Sequence, residues 1–115
     1  MPVRGAREAI TKEVTSWEGV TTHPHRFGGI EYRYGERREI GHIHGDAFVD
    51  IPFSVKIRQE LVAKGRAEPH HIFPNTGWVT IYLRTQEDVE RAIEILRMSY
   101  DLAVKQAASY KKNAI

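Results

Sequence analysis

The sequence predicts an α+β fold with about four mainly antiparallel strands and two or three helices packed on one face of the sheet. Three observations predict this class. Residues 30–51 and 78–83 contain the two-residue alternation of strands. The flanking segments carry apolar residues at helical spacing, and glycine or proline stands at the joins. A length of 115 residues fits one domain, which we expect to span residues 1–115.

Three helices are predicted from apolar periodicity and capping residues. The first covers 4–17, where the repeating apolar residues are Ala6, Ile10, Val14 and Trp17. The second starts at the N-cap Ser54 and runs to about residue 64. The third follows Thr85 and Asp88, which resemble a capping box, and runs to about residue 108. Residues 110–115 are predicted to be a frayed tail.

Strands are predicted at four places, which are 30–34, 39–44, 47–51 and 78–83. The segment 21–29 contains prolines and glycines and is predicted as a loop, with His23 and His25 as loop residues. Gly45 and Asp46 resemble a two-residue hairpin turn. That turn would place His42 opposite Val49 and put Asp50 on the other face of the hairpin, whereas a longer turn would change this register.

The composition excludes several classes of function. The chain has no cysteine, so it has no disulfide scaffold, thiolate metal site or cysteine nucleophile, and any metal would need His, Asp or Glu ligands. No apolar run approaches the roughly 20 residues of a membrane span. The first eight residues lack the core of a secretory signal, so we expect a cytoplasmic protein with no membrane partner. The net charge is only +2, and without a concentrated basic stripe nucleic-acid binding is not expected.

The strongest local signal is the pair His42 and His44, separated by one residue on a predicted strand. This spacing puts both imidazoles on the same face, with Cβ atoms about 6–7 Å apart. His70 or His71, or Asp50 if the register allows, could supply a third ligand to a catalytic metal site with an open position. Without a metal, the histidines could line a pocket or act as general acids and bases oriented by Asp50.

Two further features lie near the last predicted strand. His70 and His71 follow Pro69 in a loop, and since neighbouring residues on extended backbone point in opposite directions, we expect at most one of them to enter the site. Trp78 and Tyr82 share one face of the strand 78–83. They could form a stacking wall for a flat aromatic ligand or pack in the core.

Four motifs in order resemble the fungal-luciferase-like family, whose small bacterial members are described as luciferase-family or unknown-function proteins. The motifs are Gly41-His-Ile-His44, Asp50-Ile-Pro52, Pro69-His-His71 and Gly77-Trp-Val79. The resemblance covers roughly residues 37–104. It implies site residues at His42, His44, Asp50, His70, His71 and Trp78.

The resemblance also implies a chemistry. The fungal enzymes oxidise a hydroxylated styryl-pyrone with molecular oxygen and emit light, without a dissociable organic cofactor. A histidine base could remove a proton from an enol or phenol, and the electron-rich anion would then react with oxygen. The expected catalytic residues are therefore His42, His44, Asp50 and His70. The expected ligand-binding residues are His71, Trp78 and Tyr82.

Three functions remain open at this point. The leading hypothesis is a small cofactor-independent oxygenase that acts on a planar hydroxylated small molecule. The second is a non-catalytic domain that binds such a molecule in the same pocket. The third is a metal-dependent enzyme, with His42, His44 and His70 as candidate ligands of a divalent metal.

Overall fold

A computed structural model describes residues 3–25 and 28–113. Within them the chain forms three helices and six strands, in the order α1 (Ala6–Thr15), β1 (Val20–Pro24), β2 (Ile30–Tyr34), β3 (Arg38–His44), β4 (Phe48–Ile51), α2 (Val55–Ala63), β5 (Glu68–Pro69), β6 (Val79–Tyr82) and α3 (Gln86–Asn113). The strands make one sheet with the order β1-β2-β3-β4-β6-β5, and every neighbouring pair is antiparallel. The predicted α+β class is confirmed.

The sheet has two more strands than the sequence predicts, and both lie at its edges. β1 occupies part of the segment 21–29 that was predicted as a loop, and it pairs with β2. Its residues are mostly polar, and Pro24 ends it, so it lacks the apolar alternation that marks a strand. Proline is tolerated there because an edge strand does not need every N–H for pairing. The same reason applies to Pro69 in the two-residue strand β5.

The helices α1 and α3 pack together and cover one face of the sheet, where the hydrophobic core lies. α3 contacts β2, β3, β4 and β6, as well as α1. The four apolar residues predicted for the first helix are all buried. The sheet contributes Tyr32, Ile43, Val49, Ile51, Val79 and Ile81 to the same core. Since side chains alternate along a strand, the residues between these point to the opposite face.

The structure confirms the predicted cap of α2, but it differs from the predicted C-terminal tail. Ser54 caps α2, its side-chain oxygen accepting a hydrogen bond from the backbone N–H of Ile57 at 3.2 Å. Gly65 then ends the helix in the left-handed conformation, at φ 68°. The predicted frayed tail is wrong over 110–113, because α3 continues to Asn113. Residues 114–115 lie outside the described part of the chain. None of these helices is both long and apolar enough to cross a membrane.

The hairpin β3–β4 has a different register from the predicted one. Residues 45–47 form a three-residue turn, so His42 pairs with Asp50 and His44 pairs with Phe48. The predicted two-residue turn would have placed His42 and Asp50 on opposite faces. One extra residue in the turn moves every side chain of β4 to the other face. His42, His44, Phe48 and Asp50 therefore share the sheet face that lies away from α3.

Candidate functional site

The uncovered face of the sheet carries a cavity of about 690 Å³. This volume lies within the range of about 300–1,000 Å³ that is typical of small-molecule sites. Polar side chains of β2, β3 and β4 form its floor, and the loop that joins β5 to β6 forms one wall. The lining residues are Pro24, His25, Glu31, Arg33, Glu39, His42, His44, Phe48, Asp50, His70, His71, Ile72, Phe73 and Trp78.

Asp50 lies at the centre of the floor and is only 1% exposed. One of its oxygens, Oδ1, accepts a hydrogen bond from the hydroxyl of Thr80 at 2.7 Å. Around the other oxygen, Oδ2, stand four imidazole nitrogens. The distances from Oδ2 to Nε2 are 3.2 Å for His42, 3.3 Å for His44, 3.5 Å for His70 and 3.3 Å for His71. The structure thus brings these four histidines and Asp50 into one cluster, which we call the Asp50 cluster.

The ionised forms of Asp50 and His42 stabilise each other within the Asp50 cluster. Burial alone would raise the pKa of Asp50, but hydrogen bonds from His42 and Thr80 outweigh it and lower this pKa to about 2. Burial alone would lower the pKa of His42, but hydrogen bonds with Asp50 and Glu39 raise it to about 9. For His44 and His70, burial and neighbouring imidazoles lower the pKa. The raised pKa of His42 therefore favours an imidazolium opposite the Asp50 carboxylate, whereas the lowered pKa values of His44 and His70 favour their neutral rings.

Glu39 belongs to the site although sequence reasoning did not select it. Its Oε2 lies 2.5 Å from Nδ1 of His42. Residues three apart on a regular strand point to opposite faces. Here the register between β2 and β3 shifts at Tyr32 and Arg33, which leaves Ile40 as an extra residue in β3. This β-bulge brings Glu39 and His42 to the same face. The isolated Gly41 within this strand is the sequence signal that could have indicated the bulge.

Both histidines of the loop after β5 reach Asp50, so the expectation that only one of them enters the site was wrong. Their rings stack with centroids 4.3 Å apart. His70 directly follows the short strand β5. Its Nδ1 accepts hydrogen bonds from the backbone N–H groups of Ile72 and Phe73, both at 3.1 Å. This tight turn replaces the extended backbone on which the expectation depended.

Aromatic side chains form the walls of the cavity. The Trp78 ring lies 5.3 Å from that of His42, and the Phe48 ring stacks on His44 at 4.5 Å. Gly77 allows the chain to reach this position, because a Cβ atom there would lie 1.7 Å from the carbonyl oxygen of Phe53. Ile72 and Phe73, at the mouth, are 63% and 58% exposed. The cavity therefore combines a polar floor with apolar walls and an apolar mouth.

Two other aromatic rings differ from their predicted positions. Tyr82 faces the same side of the sheet as Trp78, but it lies beyond Phe48, at 5.9 Å between rings, and does not line the cavity. The side chain of Arg84 covers its ring at 4.7 Å. His25 lies outside the strands, as its interpretation as a loop residue implies, but its ring stacks on that of His42 with centroids 3.9 Å apart. It directly follows the unpredicted strand β1, which places it beside the cavity.

The β1–β2 hairpin supplies the remaining rim of the cavity. Arg33 forms an ion pair with Glu31 at 2.5 Å and donates a hydrogen bond to the backbone oxygen of Glu36 at 2.8 Å. These contacts hold a guanidinium beside the cavity and remote from the core face. A ligand that reaches past the Asp50 cluster would meet this charged pair.

Comparison with known proteins assigns the chain to a family. A family model described as a Luciferase domain matches residues 37–99, which is more than half of the chain. The chain belongs to this family, as the ordered motifs predict. No curated protein and no solved structure matches it. The matched segment contains the whole Asp50 cluster with Glu39, Thr80 and Trp78, whereas His25, Glu31 and Arg33 precede it.

Proposed function

We propose that this Luciferase-domain protein is an enzyme that binds a planar hydroxylated small molecule and promotes its reaction with molecular oxygen, without a dissociable organic cofactor. One observation carries the proposal. The Asp50 cluster, which can take a proton and stabilise a negative charge, forms the floor of a cavity large enough for a small molecule. Sites of this kind are typical of small-molecule enzymes.

The shape and polarity of the cavity favour a flat molecule with a hydroxyl group at one end. Trp78 and Phe48 offer aromatic surfaces next to the imidazoles of His42 and His44. Flat rings gain contact area on such walls. The polar groups are concentrated on the floor, so the hydroxyl of the ligand would point toward Asp50 while its ring stays between the walls.

The chemistry of the reaction follows from this orientation. An enol or phenol that loses its proton at the Asp50 cluster becomes an electron-rich anion. The electron pair of that anion forms a carbon–oxygen bond with dioxygen, the oxidant, whose O=O double bond is reduced to a single bond. The resulting peroxide takes up the proton that the hydroxyl released, so the product is a hydroperoxide. The protein supplies orientation, proton removal and stabilisation of the anion. The substrate itself supplies the electrons, so no flavin or nicotinamide is needed.

Ligand titration with oxygen measurement tests the proposal. We expect hydroxylated pyrones and phenols to change the fluorescence of Trp78 and to consume oxygen in the presence of protein. The variant Trp78→Phe should lose the fluorescence change, because the remaining Trp17 is buried in the core at 8% exposure. His23→Ala, which alters a half-buried residue of β1 that is hydrogen-bonded to Thr21 and does not line the cavity, serves as the matched control.

The same experiment separates the second candidate function. Fluorescence titration with no oxygen uptake for any of these ligands would support the non-catalytic binding domain. If His42→Ala and His44→Ala left both binding and oxygen uptake unchanged, the cavity would not be the functional site. If none of the ligands bound, the proposed ligand class would be wrong.

A further inference from the structure

The oxygen Oδ2 of Asp50 has more nitrogen neighbours than hydrogen bonding to it explains. Four Nε2 atoms lie 3.2–3.5 Å away. A carboxylate oxygen offers about two lone-pair sites. The contacts from His42 and His71 have hydrogen-bond geometry and fill these two sites. The convergence of two more imidazoles on the same point calls for another partner, and a cation satisfies several nitrogen lone pairs at once.

The distances from Asp50 Oδ2 to the surrounding imidazole nitrogens match those between neighbouring ligands of one metal ion. Metal–ligand bonds of about 2.0–2.1 Å place neighbouring ligand atoms about 3.0 Å apart at right angles and about 3.4 Å apart in a tetrahedron. The distances from Oδ2 to Nε2 of His42, His44 and His71 are 3.2, 3.3 and 3.3 Å. We propose that His42, His44, His71 and Asp50 bind one divalent ion of a first-row transition metal.

His70 supports this site without binding the metal. Its Nδ1 accepts two backbone N–H groups, from Ile72 and Phe73, and therefore carries no proton. In the neutral ring the proton then resides on Nε2, which faces Asp50 Oδ2 at 3.5 Å and cannot coordinate a cation. The hydrogen-bond pattern thus favours His71 over His70 as the third imidazole ligand. His70 acts as a positioning residue for Asp50 and for the turn.

Outer contacts orient two of the four ligands in the way that metal sites require. With a metal bound, Nδ1–H of His42 would donate to Glu39, and its Nε2 would give up its proton and its contact with Asp50 and offer its lone pair to the metal. Asp50 is fixed through Oδ1 by Thr80, which leaves Oδ2 for the metal. Carboxylate–histidine–metal chains of this kind fix the tautomer and raise the basicity of the ligand. The β-bulge at Ile40 places Glu39 for this contact.

The ligand set also indicates the type of metal and the open side of the site. Imidazole nitrogens with one carboxylate suit zinc, iron, nickel and related ions, and the chain has no thiolate to favour softer ions. His44 and His71 are 22% and 30% exposed, on the side that faces the cavity. A small molecule in the cavity can therefore reach the metal.

The role of the metal rests on the proposed function, whereas the site itself rests on geometry alone. A hydroxyl oxygen that binds to the cation loses its proton more readily, and the proton leaves to water at the mouth of the cavity. The anion then stays beside the aromatic walls for reaction with oxygen. In this form the Asp50 cluster activates the substrate through the cation, with His42, His44 and His71 acting as metal ligands and not as bases.

Metal binding can be measured without any organic ligand. Untagged full-length protein, stripped with a chelator, would be dialysed against zinc, manganese, nickel, cobalt or anaerobic ferrous salts and analysed by elemental mass spectrometry. We expect about one ion per chain for at least one metal. His44→Ala and His71→Ala, at partly exposed positions, should weaken binding at least 100-fold. Cobalt should give an absorption spectrum that both variants lose.

Two further variants serve as controls for this test. His23→Ala should bind metal as the parent protein does, and His70→Ala should retain one ion per chain with a weakened affinity. Circular dichroism of each variant checks the fold. Less than one ion for every few chains with all five metals, or unchanged affinity in both His44→Ala and His71→Ala, would overturn the metal site. Metal binding without any oxygen uptake would instead keep the site and reject the proposed function.

Discussion

Thr80 is a buried residue whose side-chain hydroxyl orients Asp50. It is fully buried on β6, and its hydroxyl donates to Oδ1 at 2.7 Å. Valine has nearly the same shape but cannot donate, so Asp50 would lose a hydrogen bond inside the protein. Such a loss costs about 1–3 kcal/mol. The carboxylate would also be free to rotate within the Asp50 cluster.

We therefore expect Thr80→Val to lower the free energy of unfolding by about 1–3 kcal/mol. It should also weaken metal affinity about 10–100-fold, the effect typical of residues that orient ligands. Thr80→Ser keeps the hydroxyl and should restore most of the metal affinity. Urea denaturation and competition with a chelating dye measure the two effects. Equal metal affinity in Thr80→Val and the parent protein would contradict this role of Thr80.

Tyr32 gives a prediction on the opposite face of the sheet. Its side chain is fully buried and its hydroxyl contacts that of Thr11 at 2.6 Å. Burial raises the pKa of Tyr32 to about 12, although the bond with Thr11 and the charge of Arg7 act against it. Between pH 10 and 12 the unfolded chain has therefore lost a proton that the folded chain keeps. Stability falls as the pH rises through this window.

We expect the unfolding free energy of the parent protein to lose about 1.4 kcal/mol through Tyr32 by pH 11, relative to pH 8. Tyr32→Phe cannot ionise, so its stability should fall by that much less over the same range. Urea denaturation of both proteins at several pH values measures the difference. Parallel stability curves for the two proteins would show that Tyr32 does not keep its proton in the folded state.

Among the elements, α3 combines a buried and an exposed half. Tyr100 is 7% exposed, donates its hydroxyl hydrogen to the backbone oxygen of Glu18 at 2.6 Å and meets the rings of Trp17 and Tyr34. Tyr110, ten residues later on the same helix, is 77% exposed. The helix therefore contributes to the core through its first part, while its last turns extend beyond the sheet.

Two substitutions of the same kind test this division of α3. Tyr100→Ala should lower the free energy of unfolding by about 3–5 kcal/mol, because it leaves a cavity and breaks a hydrogen bond. Tyr110→Ala should change it by no more than about 0.5 kcal/mol, since an exposed side chain loses little. Thermal or urea denaturation compares the pair. Similar losses in both variants would mean that the end of the helix is packed in solution.

Elements with strong apolar periodicity could be predicted from the sequence, whereas edge strands held by backbone hydrogen bonds could not. The aliphatic alternation of β6 and the apolar spacing of α1 both predicted structures that are present. The strand β1 has no apolar alternation, because it lies at the edge and is held by its hydrogen bonds to β2. The turn at Gly45 was predicted one residue too short, since glycine and aspartate favour several turn lengths.

At the scale of the whole molecule, residue types indicated which side chains cluster, whereas the predicted strand register did not. His42 and His44 could be chosen because their spacing fixes a common face, and the ordered motifs added Asp50 and the histidine pair. The predicted register separated Asp50 from His42, and only the three-residue turn brings them together. Glu39 was missed, because its place depends on a bulge whose position the isolated glycine beside it indicates only weakly. Such backbone irregularities leave little trace in the local sequence, yet they decide which side chains meet.

The position of the β1–β2 hairpin has a consequence for how such proteins can diversify. Pro24, His25, Glu31 and Arg33 all reach the cavity from this hairpin, and all precede the segment that the family model matches. The groups that would perform the chemistry come from later in the chain. In the proposed function, substitutions in this hairpin would change the rim that a ligand meets without replacing any residue of the Asp50 cluster. One side of the binding surface therefore lies outside the stretch that defines the family.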